Sequence, residues 1–159
     1  MRVGIGFDAH RFVPGRPLVL GGITIPFPLG LGGHSDADVL CHAVIDAMLG
    51  AVAAGDIGSH FPDSDPKYKD ISSLKLLTEA AYVIGTEKYQ VQNLDITLIL
   101  EKPMIQKYRD PIREKVAQVL DINPDRVSVK ATTTEGLGFT GRGEGVAAQA
   151  VVLVEKVIK

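Results

Sequence analysis

The chain of 159 residues has one cysteine, Cys41, so no internal disulfide framework holds it together, and this usage suits a reducing compartment. Charge of one sign is also missing. Seventeen Lys and Arg against nineteen Asp and Glu give a formal net charge of −2, which offers no broad basic field for nucleic acid or an anionic membrane. Any phosphate binding must therefore be local. No apolar run approaches the ~18 residues of a membrane span, and Met1 leads straight into a candidate strand, so neither a spanning helix nor a signal peptide is expected. Internal repeats, low-complexity tracts and the Gly-Lys-Ser/Thr ending of a P-loop are absent as well. These absences point to a soluble protein of the cytoplasm, or of the plastid stroma if a transit peptide has been removed. With 45% hydrophobic residues, the chain is expected to form one domain over 1–159, burying about 68 to 70% of its unfolded surface.

What is present alternates between strand and helix signals. Val3, Ile5 and Phe7 recur at the period of a strand, and so do the stretches from Leu94 to Leu100 and over Val127, Val129 and Ala131. The run from Ala147 to Val157 is apolar enough for a buried strand. Leu18 to Leu20 and Ile23 to Ile25, joined by Gly21-Gly22, read as a hairpin, because paired glycines accept the positive φ of a primed turn. A helix is expected from about Ala37 to Ala54, with Asp36 or Ser35 as cap and Gly55 as stop. A second is expected from near Ser72 to Glu87, and a third carries Pro111 in its first turn and Ile112, Val116 and Val119 at helical spacing. The resulting class is α+β: a mixed, mainly four-stranded sheet with helices on one face, plus the small hairpin. The uncovered face calls for a partner and hence an oligomer.

Asp8 and His10 lie two positions apart on the first strand, on one face and about 7 Å apart at roughly 3.3 Å per residue. His42 falls on the first expected helix. Two nitrogens and one carboxylate oxygen suit a zinc ion and leave its fourth tetrahedral position open for substrate or water. Asp38 and Asp46 stand one helical turn before and after His42, where either would orient its imidazole from behind. The alternative is a solvated acidic face with a histidine in it. Cys41 is rotated about 100° from His42 on the helix and belongs to the core.

Two loops also stand out. Asp56 to Pro66 is dense in turn formers and carboxylates, and reads either as Asx-turn chemistry or as a lid binding substrate hydroxyls. His60, Asp63 and Asp65 in it make a rival metal set without rigid support. From Ala131 to Gly145, three threonines run into five glycines that let backbone amides approach phosphate oxygens. There Glu135 suits a divalent cation on a diphosphate and Arg142 suits a bidentate phosphate contact. A flexible hairpin explains the same residues.

Taken together, Asp8-Ala9-His10, His34-Ser35-Asp36-Ala37-Asp38, His42, Gly55-Asp56-Ile57-Gly58, Phe61-Pro62-Asp63-Ser64-Asp65-Pro66 and the whole stretch from Lys130 to Gly145 resemble the 2-C-methyl-D-erythritol 2,4-cyclodiphosphate synthases, in order along the chain. The resemblance implies a lyase of the non-mevalonate isoprenoid pathway that cyclises 4-diphosphocytidyl-2-C-methyl-D-erythritol 2-phosphate and releases CMP. It implies a homotrimer whose sheets face each other, with active sites between neighbouring subunits, and neither a nucleic-acid nor a membrane partner. Asp8, His10 and His42 correspond to zinc ligands, and Glu135 to the ligand of a magnesium or manganese ion on the substrate diphosphate. His34 and Thr133 match transition-state stabilisers, with Ser35 and Thr132 beside them on phosphate. Ala9 lies within the first ligand motif and Thr134 beside Glu135, both at substrate-contacting positions. Asp56, Ile57, Gly58, Phe61, Pro62, Asp63, Ser64 and Asp65 match the part that holds methylerythritol. Leu100, Glu101, Lys102, Pro103, Met104, Ile105, Gln106 and Ala131 fall in the cytidine pocket. Phe139 and Arg142 lie at the trimer's central channel, for which an isoprenoid diphosphate is a candidate ligand. Two positions depart from the family pattern: Met104 stands where Lys or Arg is usual, and Ala37 where Gly is common, an exchange that a helix start accepts. Rival readings are a zinc phosphoesterase, with water as nucleophile, and a trimeric sensing module that binds nucleotide or metal without turnover.

Overall fold

A computed structural model describes residues 1–157; the last two positions of the expected domain lie outside the described residues. The first strand, β1 (Arg2–Val13), pairs antiparallel with β7 (Gly145–Lys156), β7 pairs antiparallel with β5 (Tyr89–Ile99), and β5 pairs parallel with β6 (Val127–Thr132). A two-residue strand, β4 (Gly30–Leu31), adds to the outer edge of β1 and makes the sheet five-stranded, in the order β4-β1-β7-β5-β6. It is too short for any alternation to announce it. The hairpin forms as expected, with β2 (Leu18–Leu20) against β3 (Ile23–Ile25), and Gly21 and Gly22 both at positive φ.

The helices α1 (Val39–Ala51), α3 (Ser73–Thr86) and α4 (Arg109–Leu120) pack on the same side of the sheet, and the four-residue helices α2 (Ile57–His60) and α5 (Gly138–Gly141) punctuate the two loops. Every residue of α1 except Asp46 and Gly50 is buried, as suits a helix between a sheet and a second helix layer. Its closeness to β1 depends on two glycines. A Cβ on Gly4 would meet the Ala47 carbonyl oxygen at 1.9 Å, and one on Gly6 would meet that of Ala43 at 2.0 Å. Two strand residues advance about 6.6 Å and one helical turn about 5.4 Å, so strand and helix stay nearly in step. Two residues beyond Gly6, Asp8 meets His42.

The start of α1 differs from the expectation. Asp38, rather than Asp36 or Ser35, is the N-cap, its carboxylate accepting from Cys41 N at 3.2 Å. Ala37 cannot extend the helix because its φ is +56°. That left-handed conformation costs an L-residue roughly 1–2 kcal/mol, so the exchange of Gly for Ala here is a strained one and not the neutral change of a helix start.

The opposite face of the sheet is open. Val3, Ile5 and Phe7 are 67%, 64% and 58% exposed, and Val151, paired with Ile5, is 41% exposed. No helix among the described residues is long and apolar enough to cross a membrane.

Candidate metal centre and the clefts beside it

Even-numbered residues of β1 point toward the helices, so Asp8 and His10 project inward just past the N-terminal turn of α1, which carries His42. The three ligand atoms form a nearly equilateral triangle. His10 Nε2 is 2.9 Å from Asp8 Oδ2, His42 Nδ1 is 3.0 Å from the same oxygen, and the two nitrogens are 3.0 Å apart. A tetrahedral ion with bonds near 2.0–2.1 Å separates its ligands by about 3.3 Å, so this donor set needs to open by only a few tenths of an ångström to hold zinc. These are the only three His, Cys, Asp or Glu residues among the described ones that gather in this way. The rival set does not assemble: His60 Nε2 donates to the Ala54 carbonyl at 2.7 Å, and Asp65 caps Lys67 N at 3.0 Å.

The triad's electrostatics follow from its packing. Burial would raise the Asp8 carboxyl, but hydrogen bonds and charge from His10 and His42 outweigh it and hold Asp8 well below the usual carboxylate range. Burial would likewise lower the His10 imidazole, yet the hydrogen bond and charge of Asp8 carry it above its ordinary value. His10 Nδ1 sits 2.9 Å from the Gly32 carbonyl. That carbonyl can only accept, so it places the proton on Nδ1 and leaves Nε2 to face the centre.

The two aspartates expected behind His42 are engaged elsewhere. Asp38 turns away from the imidazole and accepts from the hairpin turn, from Gly21 N at 3.0 Å and Gly22 N at 2.7 Å. Burial raises its carboxyl above the ordinary value, against the pull of these amides. Asp46 accepts from Ile57 N at 2.8 Å and so fixes the start of α2. The groups that meet His42 Nε2 are instead the hydroxyls of Ser73, at 3.0 Å, and Ser35, at 3.1 Å. Sequence reasoning missed Ser73, and gave its partner Asp36, 37 positions away, the capping role that Asp38 fills. Cys41 is buried beside Asp38, and burial and that carboxylate push its thiol well up, as befits a core residue.

A cleft of about 350 Å³ opens over the triad, and His34, Ser35, Ile57, Gly58, Phe61, Pro62 and Asp63 line it. Asp56 does not line it but caps α2, accepting from Ser59 N at 2.8 Å. Ser64 and Asp65 follow in the same loop, and the Asp65 carbonyl lies 3.3 Å from His34 Nε2. Ala9 lies between the two ligands on β1. Arg16 anchors the loop carrying His34, donating to the Gly33 carbonyl at 2.6 Å and also to that of Ser35.

A second cleft of about 260 Å³ gathers Leu100, Glu101, Pro103, Met104, Ile105, Gln106, Ala131, Thr132 and Thr133. Lys102, Thr134, Glu135, Phe139 and Arg142 do not line it. Glu101 Oε1 takes the amides of Thr134 at 3.1 Å and Gly136 at 3.4 Å. Two of the loop amides expected to face phosphate are thus committed to holding the loop's own shape. Glu135 has φ +53°, and Arg142 pairs with Glu144 at 2.6 Å. The two clefts share no residue within one chain. They do share a level of the sheet: Asp8 pairs with Ala148, Ala148 with Leu98 and Leu98 with Ala131, which puts them three strand spacings, about 14 Å, apart.

Fold and site together define an α+β protein, with helices on one face of a five-stranded mixed sheet, that gathers two imidazoles and a carboxylate into a candidate metal site beside a cleft. A family model described as the YgbB family matches residues 1–155, and the chain belongs to that family. It is 60% identical to the 2-C-methyl-D-erythritol 2,4-cyclodiphosphate synthase of Desulfatibacillum aliphaticivorans over 98% of this chain and 100% of that protein. It is 56% identical to the synthase of Moorella thermoacetica over 97% and 94%. Among solved structures, a CDP-bound 2C-methyl-D-erythritol-2,4-cyclodiphosphate synthase superposes with a TM-score of 0.89 at 36% identity, covering 97% of this chain and 100% of that one. The CDP complex of IspF from Plasmodium falciparum gives 0.86 at 31%, covering 99% and 97%.

Proposed function

We propose that this chain converts 4-diphosphocytidyl-2-C-methyl-D-erythritol 2-phosphate into 2-C-methyl-D-erythritol 2,4-cyclodiphosphate and CMP, as a phosphorus–oxygen lyase of the non-mevalonate isoprenoid pathway, a single domain over 1–159 working in the cytoplasm. The observation that carries this reading is the Asp8–His10–His42 triangle lining a cleft of about 350 Å³, in a chain that matches synthases over almost its whole length. Zinc held by the triangle supplies a Lewis acid for a phosphate oxygen. Glu135 is the candidate ligand for magnesium or manganese on the diphosphate.

The nucleophile is the substrate's own 2-phosphate, already anionic at neutral pH, so no strong general base is required. The chain's task is to hold two anionic groups together. The metal-side cleft offers Ser35 to the 2-phosphate, and the Asp63 carboxylate and Gly58 backbone, with Asp56 beside them, to the methylerythritol hydroxyls. The second cleft, between Leu100 to Gln106 and Ala131 to Thr133, suits the cytidine. The attack is intramolecular within the substrate itself, and fixing both ends holds the 2-phosphate oxygen in line with the β-phosphorus against the rotational freedom of the open chain. His34 lines the metal-side cleft and Thr133 the second, and their role in this reading is to donate to the charge that develops in transfer.

The assembly we propose is a homotrimer with facing sheets. The exposed stripe of Val3, Ile5, Phe7 and Val151 supports it, as does the division of the site into two clefts that a neighbouring subunit can bring together. Phe139 and Arg142 would then face the central channel, where an isoprenoid diphosphate is the candidate ligand. Phosphorus NMR of the purified protein with substrate, zinc and magnesium tests the reaction. Cyclic diphosphate and CMP in equal amounts are expected. Open-chain hydrolysis products would make the protein a phosphoesterase, and CDP binding without CMP release would make it a sensing module.

A further inference from the structure

Of the two imidazoles in the triad, His42 is the one whose orientation no main-chain carbonyl fixes. Its Nδ1 faces Asp8 and His10, and its Nε2 faces Ser73 Oγ at 3.0 Å and Ser35 Oγ at 3.1 Å. A serine hydroxyl can donate or accept, so serine alone would leave the imidazole tautomer open. Ser73 is not alone. Its hydroxyl donates to Asp36 Oδ1 and its backbone N–H to Asp36 Oδ2, the latter at 3.1 Å. An ionised carboxylate only accepts, so the Ser73 proton is committed to Asp36 and its lone pairs turn to His42. The Ser35 oxygen is itself partly engaged, accepting from Ala37 N at 3.1 Å. Ser73 is fully buried, so water does not compete for these bonds.

We infer that Asp36 and Ser73 form a positioning relay, Asp36 carboxylate to Ser73 hydroxyl to His42 Nε2–H, that orients the His42 ring through Nε2 and leaves Nδ1 facing the metal site. The relay rests on the reading of the triad as a metal centre. Its chemistry is that of a carboxylate behind a metal-bound imidazole, with a serine inserted between them. Such outer partners are worth about 10- to 100-fold in metal affinity. The relay also reaches between elements: Ser73 opens α3, Asp36 precedes α1 and His42 lies within α1. Neither Ser73 nor Asp36 touches the triad's open side.

Helix capping alone would explain Asp36 but not the Ser73 hydroxyl. Asp36 Oδ2 caps α3 through the Ser73 backbone N–H, which Ser73→Ala preserves. The test compares wild type, Ser73→Ala and Ser73→Thr by two readouts: zinc affinity from chelator competition, and, in the zinc-loaded protein, solvent-exchange protection of the His42 Nε2–H from proton–nitrogen NMR. In wild type that N–H is expected to be hydrogen-bonded and slow to exchange. Ser73→Ala is expected to show fast Nε2–H exchange and about 10- to 100-fold weaker zinc binding with unchanged circular dichroism, and Ser73→Thr to restore both. Should Ser73→Ala unfold, Asp36→Asn with Ser73 intact is read in the same two ways. Zinc affinity within threefold of wild type together with unchanged Nε2–H exchange overturns the relay. A wild type that bound no zinc would sink the metal centre itself, whereas a wild type that binds zinc beside a Ser73→Ala variant that binds it equally well sinks the relay alone.

Discussion

Gly6 lies so close to the carbonyl of Ala43 that a Cβ built on it would sit 2.0 Å from that oxygen. Gly4 and Gly6 let α1 press against β1, and the near match between one helical turn and two strand residues carries this contact on to His42 and Asp8. The metal triangle is therefore a product of helix–sheet packing as much as of its three ligands.

Gly6→Ala should accordingly harm both fold and site. The obstructing atoms are backbone, which cannot swing aside, so the cost should reach or exceed the upper end of the roughly 1–3 kcal/mol typical of overpacking. Urea unfolding should show a lower midpoint at unchanged slope, and surviving folded protein should bind zinc more weakly. A midpoint equal to that of the parent would mean that helix and strand can separate freely, and the account of His42 placement would fail.

Removing the metal should stop turnover without dismantling the chain. Neither α1 nor β1 depends on the triad for its hydrogen bonds: α1 is capped by Asp38, and β1 pairs with β7 along ten residue pairs. His42→Ala, or chelation of the parent protein, is expected to abolish CMP release and stoichiometric zinc while the sedimentation coefficient stays unchanged. Zinc should restore activity to the chelated parent but not to the variant. Normal CMP release by a zinc-free His42→Ala protein is the result that excludes the triad.

Much of this site is legible in the sequence, for a physical reason: β1 alternates cleanly, and a period of two settles which side chains share a face. Asp8 and His10 follow from that alone. What lies behind His42 does not, because the direction in which a helix turns its carboxylates depends on what packs there. Asp38 is claimed by the hairpin amides and Asp46 by Ile57 N. Ser73 reaches His42 only once α3 has folded over α1. The full length of β5 is hidden by the irregularity between Val91 and Asn93, which breaks its alternation. The left-handed Ala37 is hidden because alanine gives no sign of positive φ.

The open sheet face predicts a separation of functions. Ile5 and Phe7 point away from the metal cleft, whose ligands all come from one chain. Burying such side chains is worth about 1.5–3 kcal/mol each, and a charge in their place would be buried unpaired. Ile5→Asp combined with Phe7→Asp is expected to yield monomers in sedimentation equilibrium that still bind about one zinc per chain but release no CMP. Full activity in a monomeric double variant would place the whole site within one subunit and refute the shared cleft.

Glu101 offers the finest discrimination, because it holds the loop at the second cleft rather than the metal. Its Oε1 gathers the amides of Thr134 and Gly136, and between them Glu135 adopts a left-handed φ that a free loop would rarely keep. These two bonds tie the loop back to Glu101 and so set the position of Thr133 and Glu135 against a bound diphosphate. Glu101→Ala is therefore expected to raise the KM for the cytidine substrate and lower kcat together, at least tenfold in kcat/KM, with zinc stoichiometry and oligomeric state intact. Glu101→Gln keeps one acceptor oxygen for the same amides and should fall between the two. If Glu101→Ala instead lost zinc while binding CDP as the parent does, the carboxylate would belong to the metal-side cleft, and the division of labour between the two clefts would have to be reversed.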